Sequence, residues 1–353
     1  MKIIIPLIGS FGKAGGFRVL SQLANYWIMD GHDVVFLSYI NGTDPYFPTK
    51  AKVLYYDNKG GISTQKDNNH PKPFLGMFQL RKALTKALNQ FEADIVLANH
   101  CFSAQPVKKS SIEARKFYYV QAYEPDYYYH KTIKDFIFKK ISENSYKLGL
   151  EIIVNASMYR DYKEIKTDKV IFPGLDLDVF KPQTISRDSN KIILGTIGRL
   201  EEYKGTIYII EAFKMLRKKL GEKIELHIGF GEKHLEEIEG IKVFFPNGDK
   251  ELAQYYNSLN FYICAGTIQM EAIHYPIIES MACKVPVITT GYYPSNHDNS
   301  IMIPIKDSIA LEKAVIKAID EKEVVESKKE KAFTSIEQFD WKIISRKMIN
   351  YFS

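Results

Sequence analysis

The feature that most limits what this chain can fold into is one pattern that occurs twice. Lys2–Ile8 is an unbroken apolar run, followed by the glycine-rich stretch Gly9-Ser-Phe-Gly12-Lys-Ala-Gly15-Gly16. A helical pattern over Val19–Asp30 comes next, with Val19, Leu20, Leu23, Ala24, Trp27 and Ile28 on one face, and then the apolar run Asp33–Ser38. An apolar run without alternation suits a strand buried on both faces, as in a parallel sheet covered by helices on each side. The pattern restarts at Lys191–Ile197, with Gly198, a helix over Thr206–Leu220 and a strand at Ile224–Ile228. Two doubly wound α/β domains follow, each presenting its chemistry at the carboxyl ends of its strands. The polar stretch Gln183–Asn190 reads as the linker, which sets the domains at 1–180 and 181–337. An amphipathic tail at 338–353, carrying Trp341, Ile344, Met348, Ile349 and Phe352, can pack on either one.

A chain of 353 residues, 45% hydrophobic and 25% charged, has the balance of a soluble protein with room for two cores. Its three cysteines, Cys101, Cys264 and Cys283, are too few and too scattered for a disulfide framework or a zinc site, and suit a reducing, cytoplasmic compartment. The opening apolar run is too short for a signal peptide or a membrane span. The net charge of +6 lies in the first half, where residues 1–180 hold 24 Lys and Arg against 18 Asp and Glu. That excess admits an anionic membrane surface as a partner, with a solvated lysine-rich face as the plainer account. It is spread out and comes with no base-reading motif, so nucleic acid is not expected. On the pattern Ile133, Phe136, Ile137 and Ile141, a helix rich in lysine packs on its domain by an apolar face. A membrane-surface helix is the alternative.

Candidate site residues fall at strand ends. His100, Gln121 and Glu124 follow two expected strands of the first half. Gly15 and Gly16 suit either close backbone approach to a phosphate or sugar, or a tight turn; the glycine spacing is not that of a dinucleotide fingerprint. In the second half Arg199 and Lys204 flank a turn after a strand, a fit for a diphosphate. Gly229 and Gly231 mark a loop where small residues admit a ligand. Further strands are expected at Val170–Pro173 and within Met281–Thr290. Glu271 and Glu279 stand on either side of Pro276, where a helix begins and offers free N–H groups to an anion. Two solvated glutamates would be the bland account of that motif.

The order of these blocks resembles the retaining GT-B glycosyltransferases of family 4: a Gly-Gly loop, a Pro-Gly-x-Asp linker, Gly198-Arg199-Leu with Lys204-Gly205, Gly229-x-Gly231, and Glu271-x7-Glu279. The resemblance covers nearly the whole chain and is strongest over 170–290. It implies two Rossmann-like domains facing a central cleft, the second binding a UDP-, dTDP- or GDP-sugar and the first a glycan or lipid-linked acceptor. It also implies that the tail helix joins the first domain. By position, Arg199 and Lys204 hold the diphosphate, Glu279 takes the ribose hydroxyls, and Glu271 contacts the donor sugar. Backbone groups of His274, Tyr275, Pro276 and Ile277 complete the phosphate cradle, and Gly198, Gly229 and Gly231 give the nucleotide-sugar room beside it. The base lies by Phe245, and Gly15 and Gly16 approach the donor from the first domain. Neither a metal nor a cofactor is implied. The family's Glu-Gly-Phe-Gly-Leu-Pro becomes Glu271-Ala-Ile-His-Tyr-Pro276 here, which adds side chains where the donor sugar lies. Many members carry histidine where this chain has Gln121. The stretch Tyr119-Val-Gln-Ala-Tyr-Glu124-Pro is similar to one in some rhamnosyltransferases, which suggests a deoxysugar donor. The activity implied is transfer to a surface polysaccharide or glycolipid at the inner face of the cell membrane. An accessory, non-catalytic sugar-binding subunit and a nucleotide-sugar epimerase of the same fold are the alternatives.

Overall fold

The computed structural model describes residues 1–129, 132–185, 188–198, 200–268 and 273–353. The chain divides into two units, Met1–Gly174 with Trp341–Ser353, and Leu175–Asp340.

In the first unit the strands are β1 (Lys2–Pro6), β2 (Asp33–Tyr39), β3 (Lys52–Tyr56), β4 (Ile62–Ser63), β5 (Ile95–Ala98), β6 (Arg115–Val120) and β7 (Glu151–Val154). They form one sheet in the order β4-β3-β2-β1-β5-β6-β7, parallel except at β4. Helices α1 (Gly15–Met29), α2 (Met77–Leu88), α3 (Cys101–Lys109) and α4 (Ile133–Ser145) connect them. Successive strand residues feed opposite cores. Ile3, Ile5, Phe36, Leu97 and Phe117 face α1, whereas Ile4, Val35, Leu37, Val96 and Tyr118 face α2 and α3. Both faces are therefore dry, as the unbroken apolar runs require.

The second unit holds β8 (Ile192–Ile197), α5 (Thr206–Leu220), β9 (Ile224–Gly229), β10 (Ile241–Phe244), α6 (Asp249–Asn257), β11 (Phe261–Cys264), α7 (Tyr275–Ala282), β12 (Val287–Thr289), β13 (Ile301–Met302), α8 (Ser308–Asp320) and α9 (Lys322–Ile336). Its sheet is parallel throughout, in the order β10-β9-β8-β11-β12-β13. The last helix, α10 (Trp341–Phe352), belongs to the first unit. There the Trp27 indole donates to the Ser345 carbonyl at 3.1 Å, and Phe352 packs on Trp27 and Phe117. Gly174 admits this return, because a Cβ there would sit 2.5 Å from the Trp341 ring.

Several expectations need correcting. The division falls after Gly174 rather than Phe180, because the Leu175 N–H donates to Phe339 and Phe180 packs beside Tyr256. Val170–Pro173 contributes only an isolated bridge from Val170 to Val154. Within Met281–Thr290 the expected strand is present but confined to β12, since Met281 and Ala282 end α7. Gly15 and Gly16 open α1 instead of forming a loop, and the left-handed turn residue is Gly9 (φ +93°). Helix α4 does not bury its apolar face: the residues it buries are Ser142 and Ser145.

Candidate functional site

Each unit has a distinct constellation at its strand ends. In the second unit the tip of β11 meets the turn that precedes α5. Gly205 has φ +69°, and a Cβ there would overlap the Ala265 carbonyl oxygen, so only glycine lets the turn close on the strand end. The Thr267 N–H then donates to the Tyr203 carbonyl at 3.0 Å. This closure brings Lys204 near His274 at the start of α7. Burial and the Lys204 charge together lower the His274 pKa to about 4, so the imidazole is neutral at physiological pH. Its ring stacks on Tyr292 at 4.6 Å, and its Nδ1 lies 3.8 Å from Cys264 Sγ. Burial pushes the Cys264 thiol up to about 11.

Within α7 the Ile277 N–H donates to the His274 carbonyl at 3.0 Å, and Pro276 has no N–H. That removes both as backbone donors to the expected phosphate cradle; among the described residues, Lys204 puts a cation beside the helix start. Glu279 lies in the second turn and is 3% exposed. Its Oε2 accepts from the Tyr256 hydroxyl at 2.8 Å, which fixes the carboxylate in one orientation. Nothing in the local sequence links Tyr256 to Glu279; only the packing of α6 on α7 does so. Glu271 and Arg199 lie outside the described residues.

The glycines after β8 and β9 have another explanation than the one their sequence suggested. A Cβ at Gly198 would reach Thr206 Oγ1 at 2.5 Å, one at Gly229 would collide with Ile197, and one at Gly231 would reach Ile228 at 2.6 Å. These positions are small because the protein's own strands and helix converge there. Phe245 follows β10, is exposed, and lines a groove of about 700 Å³ with Phe244, Pro246, Gln183, Glu251 and Tyr255.

In the first unit the ends of β1, β5 and β6 and the start of α1 line a pocket of about 500 Å³. Gly16, Phe17, Asn99, His100, Phe102, Gln121, Glu124 and Tyr128 are among its walls. The structure thus brings His100, Gln121 and Glu124 together, along with Gly16. His100 caps α3: its Nδ1 accepts from the Phe102 N–H at 3.2 Å, and Ser103 Oγ accepts from the His100 N–H at 3.2 Å. That bond assigns the imidazole proton to Nε2, which lies 3.8 Å from Glu124 Oε1. Glu124 is buried, and its Oε2 accepts from the Cys101 N–H at 2.6 Å and the Tyr118 hydroxyl at 2.9 Å. Its own N–H donates to the Tyr146 hydroxyl at 3.2 Å. Gln121 differs: its Oε1 is buried with no hydrogen-bond partner among the described residues. Its side chain presses on Gly16, where a Cβ would come within 3.2 Å of Nε2.

His100, Cys101 and Glu124 place ligand-type atoms within 4.8 Å of one another. Glu124 Oε2 is already doubly engaged, and burial raises the Cys101 thiol well above its ordinary range. A cation would have to deprotonate that buried thiol, so the donor set does not fit a metal. The aromatic walls Phe17, Phe102 and Tyr128 were missed in the sequence, as were Tyr118 and Tyr146; only the abundance of tyrosine and phenylalanine hinted at them.

Paired parallel sheets of this order define the GT-B architecture, and the chain has that fold. Residues 191–321 match the family of glycosyl transferases group 1, which the chain resembles. An uncharacterized glycosyltransferase of Haemophilus influenzae is 25% identical over 308 residues, covering 83% of this chain and 82% of that protein. Among solved structures, HepE of Anabaena in complex with UDP aligns with a TM-score of 0.71 at 16% identity, covering 99% of each chain. WaaG, a glycosyltransferase involved in lipopolysaccharide biosynthesis, aligns with a TM-score of 0.66 at 14% identity, again covering 99% of each. The family match and the Haemophilus influenzae relative support a role in sugar transfer. Among the described residues, no helix is long and apolar enough to cross a membrane.

Proposed function

We propose that this chain is a retaining glycosyltransferase that moves a sugar from a nucleotide-diphosphate sugar to a glycan or lipid-linked acceptor. Its product is a surface polysaccharide or glycolipid assembled at the inner face of the cell membrane. The observation that carries the reading is the Gly205 closure, which sets the Lys204 cation beside the start of α7 while Tyr256 orients Glu279. HepE, which is similar in fold, was solved with UDP, with glucose and with UDP-glucose, and this favours a donor of that class.

In this mechanism Lys204 and Arg199 neutralise the charge that grows on the diphosphate as the bond to the anomeric carbon breaks. Glu279 receives the ribose hydroxyls, and Glu271 orients the sugar. The acceptor hydroxyl oxygen bonds to the anomeric carbon on the face the diphosphate leaves, and its proton passes to the leaving phosphate oxygen. No metal or other cofactor enters the step. The first unit's pocket holds the acceptor: its aromatic walls suit a sugar ring, and the unpaired Gln121 Oε1 suits a hydroxyl donor. His100, with its Nε2 toward Glu124, is a second polar contact.

A panel of labelled UDP-, dTDP- and GDP-sugars, read for binding, transfer and hydrolysis, tests the reading. Donor-dependent transfer or slow hydrolysis is expected. Binding without either reaction supports an accessory sugar-binding subunit instead, a possibility raised by the side chains of the Glu271–Pro276 segment. Conversion of the donor without an acceptor supports an epimerase.

A further inference from the structure

Helix α4 turns its apolar side chains outward. Ile133 is 83% exposed and Phe136 66%, and Ile137 lies on the same face. Next to it, the turn entering α2 leaves Phe74 95% exposed, with Leu75 and Phe78 also open. The two segments share one groove of about 590 Å³, lined by Leu75, Met77, Phe78, Ile133, Ile137 and Phe138. Single exposed apolar residues are ordinary, but a contiguous set on adjoining elements marks an interaction surface.

The segments that carry this surface are rich in cations, and Lys134 lines the groove itself. Lys72, Lys82, Lys86, Lys134 and Lys139 are all exposed, and no acidic residue occurs between Asp67 and Glu92. The acidic residues of α4 are engaged: Asp135 with the Thr132 cap, and Glu143 with Lys140 at 2.8 Å. The Lys134 ammonium sits over the Phe138 ring at 5.4 Å, its charge at the groove's edge.

We propose that this face docks on an anionic lipid bilayer. The ridge of Phe74, Leu75, Ile133 and Phe136 enters the boundary between headgroups and acyl chains, and the lysines meet the lipid phosphates. Exposed Tyr127 and Tyr129 lie close in sequence, with the amphipathic character that suits this boundary. The lysines favour a bilayer over a second copy of the chain. A two-fold contact would set these lysines against themselves, whereas anionic headgroups complement them. Met77 lines both the groove and the strand-end pocket, and Phe138 packs at 4.9 Å on Phe102, a wall of that pocket. A lipid-linked acceptor lying in the bilayer would reach the pocket along this wall. That last step rests on the proposed glycosyl transfer; the docking does not.

Flotation of the full chain with vesicles tests the docking. The chain is expected to float with vesicles of equal parts phosphatidylcholine and phosphatidylglycerol, weakly with phosphatidylcholine alone, and less at high salt. Ile133→Ser with Phe136→Ser is expected to lower partition about tenfold or more. Lys134→Glu with Lys139→Glu is expected to remove the preference for the anionic vesicles. All these side chains are exposed, so thermal midpoint and UDP affinity, measured alongside, should not change. Absence of flotation overturns the proposal, as does flotation insensitive to both double variants. So does a concentration-dependent dimer, seen by light scattering, that Phe136→Ser dissolves. A chain that floats but binds no nucleotide keeps the docking and loses the transferase.

Discussion

The two units carry sheets of the same design but put opposite chemistry at their strand ends. In the second, a cation and a carboxylate are fixed by glycine closure and a tyrosine hydroxyl: Lys204 by Gly205, and Glu279 by Tyr256. In the first, the pocket is walled by aromatic rings and its carboxylate is buried among internal donors. Gln121 Oε1 is left with no partner among the described residues. A rigid charged site suits a diphosphate, whose negative charge any cation in place will attract. An aromatic pocket that holds the open Gln121 Oε1 suits a sugar, selected by shape and hydroxyl pattern. The shared fold sets where ligands bind, and the side chains at the strand ends decide which ligands those are.

The sharpest way to break this contrast is Gly205→Ala. Its Cβ meets the Ala265 carbonyl in a left-handed conformation, so a loss on the order of 2–4 kcal/mol of stability is expected, with nucleotide affinity falling too. Calorimetry with UDP titration would show it, and an unchanged midpoint would refute the closure. Lys204→Ala keeps the fold and should weaken nucleotide-sugar binding by about ten- to a hundredfold, the scale of a lost charged hydrogen bond. Equal affinity in titration calorimetry would remove Lys204 from the site.

Acid titration probes the second unit's charged framework next. Burial alone would raise Glu225, but hydrogen bonds from Lys191, Lys242 and His227 outweigh it and hold the carboxyl at about 2. Because the folded value lies below the unfolded one, this contribution is complete above pH ~4.5 and is lost as pH falls toward 2. Glu225→Gln should flatten the stability profile in that window. The smallest effect is expected from Gln121→Ala: turnover with acceptor falling about five- to tenfold, with nucleotide affinity unchanged. A drop in nucleotide affinity instead would mean that the two sites do not divide donor from acceptor as proposed.

The strands were the most legible part of the fold, because residues 3–6 of β1 and 34–37 of β2 are unbroken apolar runs. Helix α5 matched its expected bounds, Thr206–Leu220, with glycine on each side. Helix α3 was invisible, since Pro106 interrupts its pattern and its cap is histidine rather than one of the usual capping residues. The α4 periodicity gave the right face but not its direction; spacing shows which residues share a stripe, not what covers it. The same blindness affected Gly198, Gly229 and Gly231. A small residue leaves room, and only the neighbours show whether a ligand or the protein's own side chains fill it. In the first unit, proximity to strand ends singled out His100, Gln121 and Glu124, which line one pocket. Tyr146 and Tyr256 could not be found that way, because they lie more than twenty positions from the groups they hold.

The return of α10 bears on how the molecule is made. Trp341, Ile344, Met348 and Phe352 close the core beneath α1, yet they leave the ribosome only after the whole second unit. At about 5–20 residues per second, that delay is on the order of ten to thirty seconds. Throughout it the face of the first unit's sheet beneath α1 lacks part of its cover, and the Trp27 indole lacks the Ser345 carbonyl it will bond. The second unit can fold by itself meanwhile, as a closed insertion. The first matures last although it is made first, which makes the nascent chain a target for chaperones while that face is open.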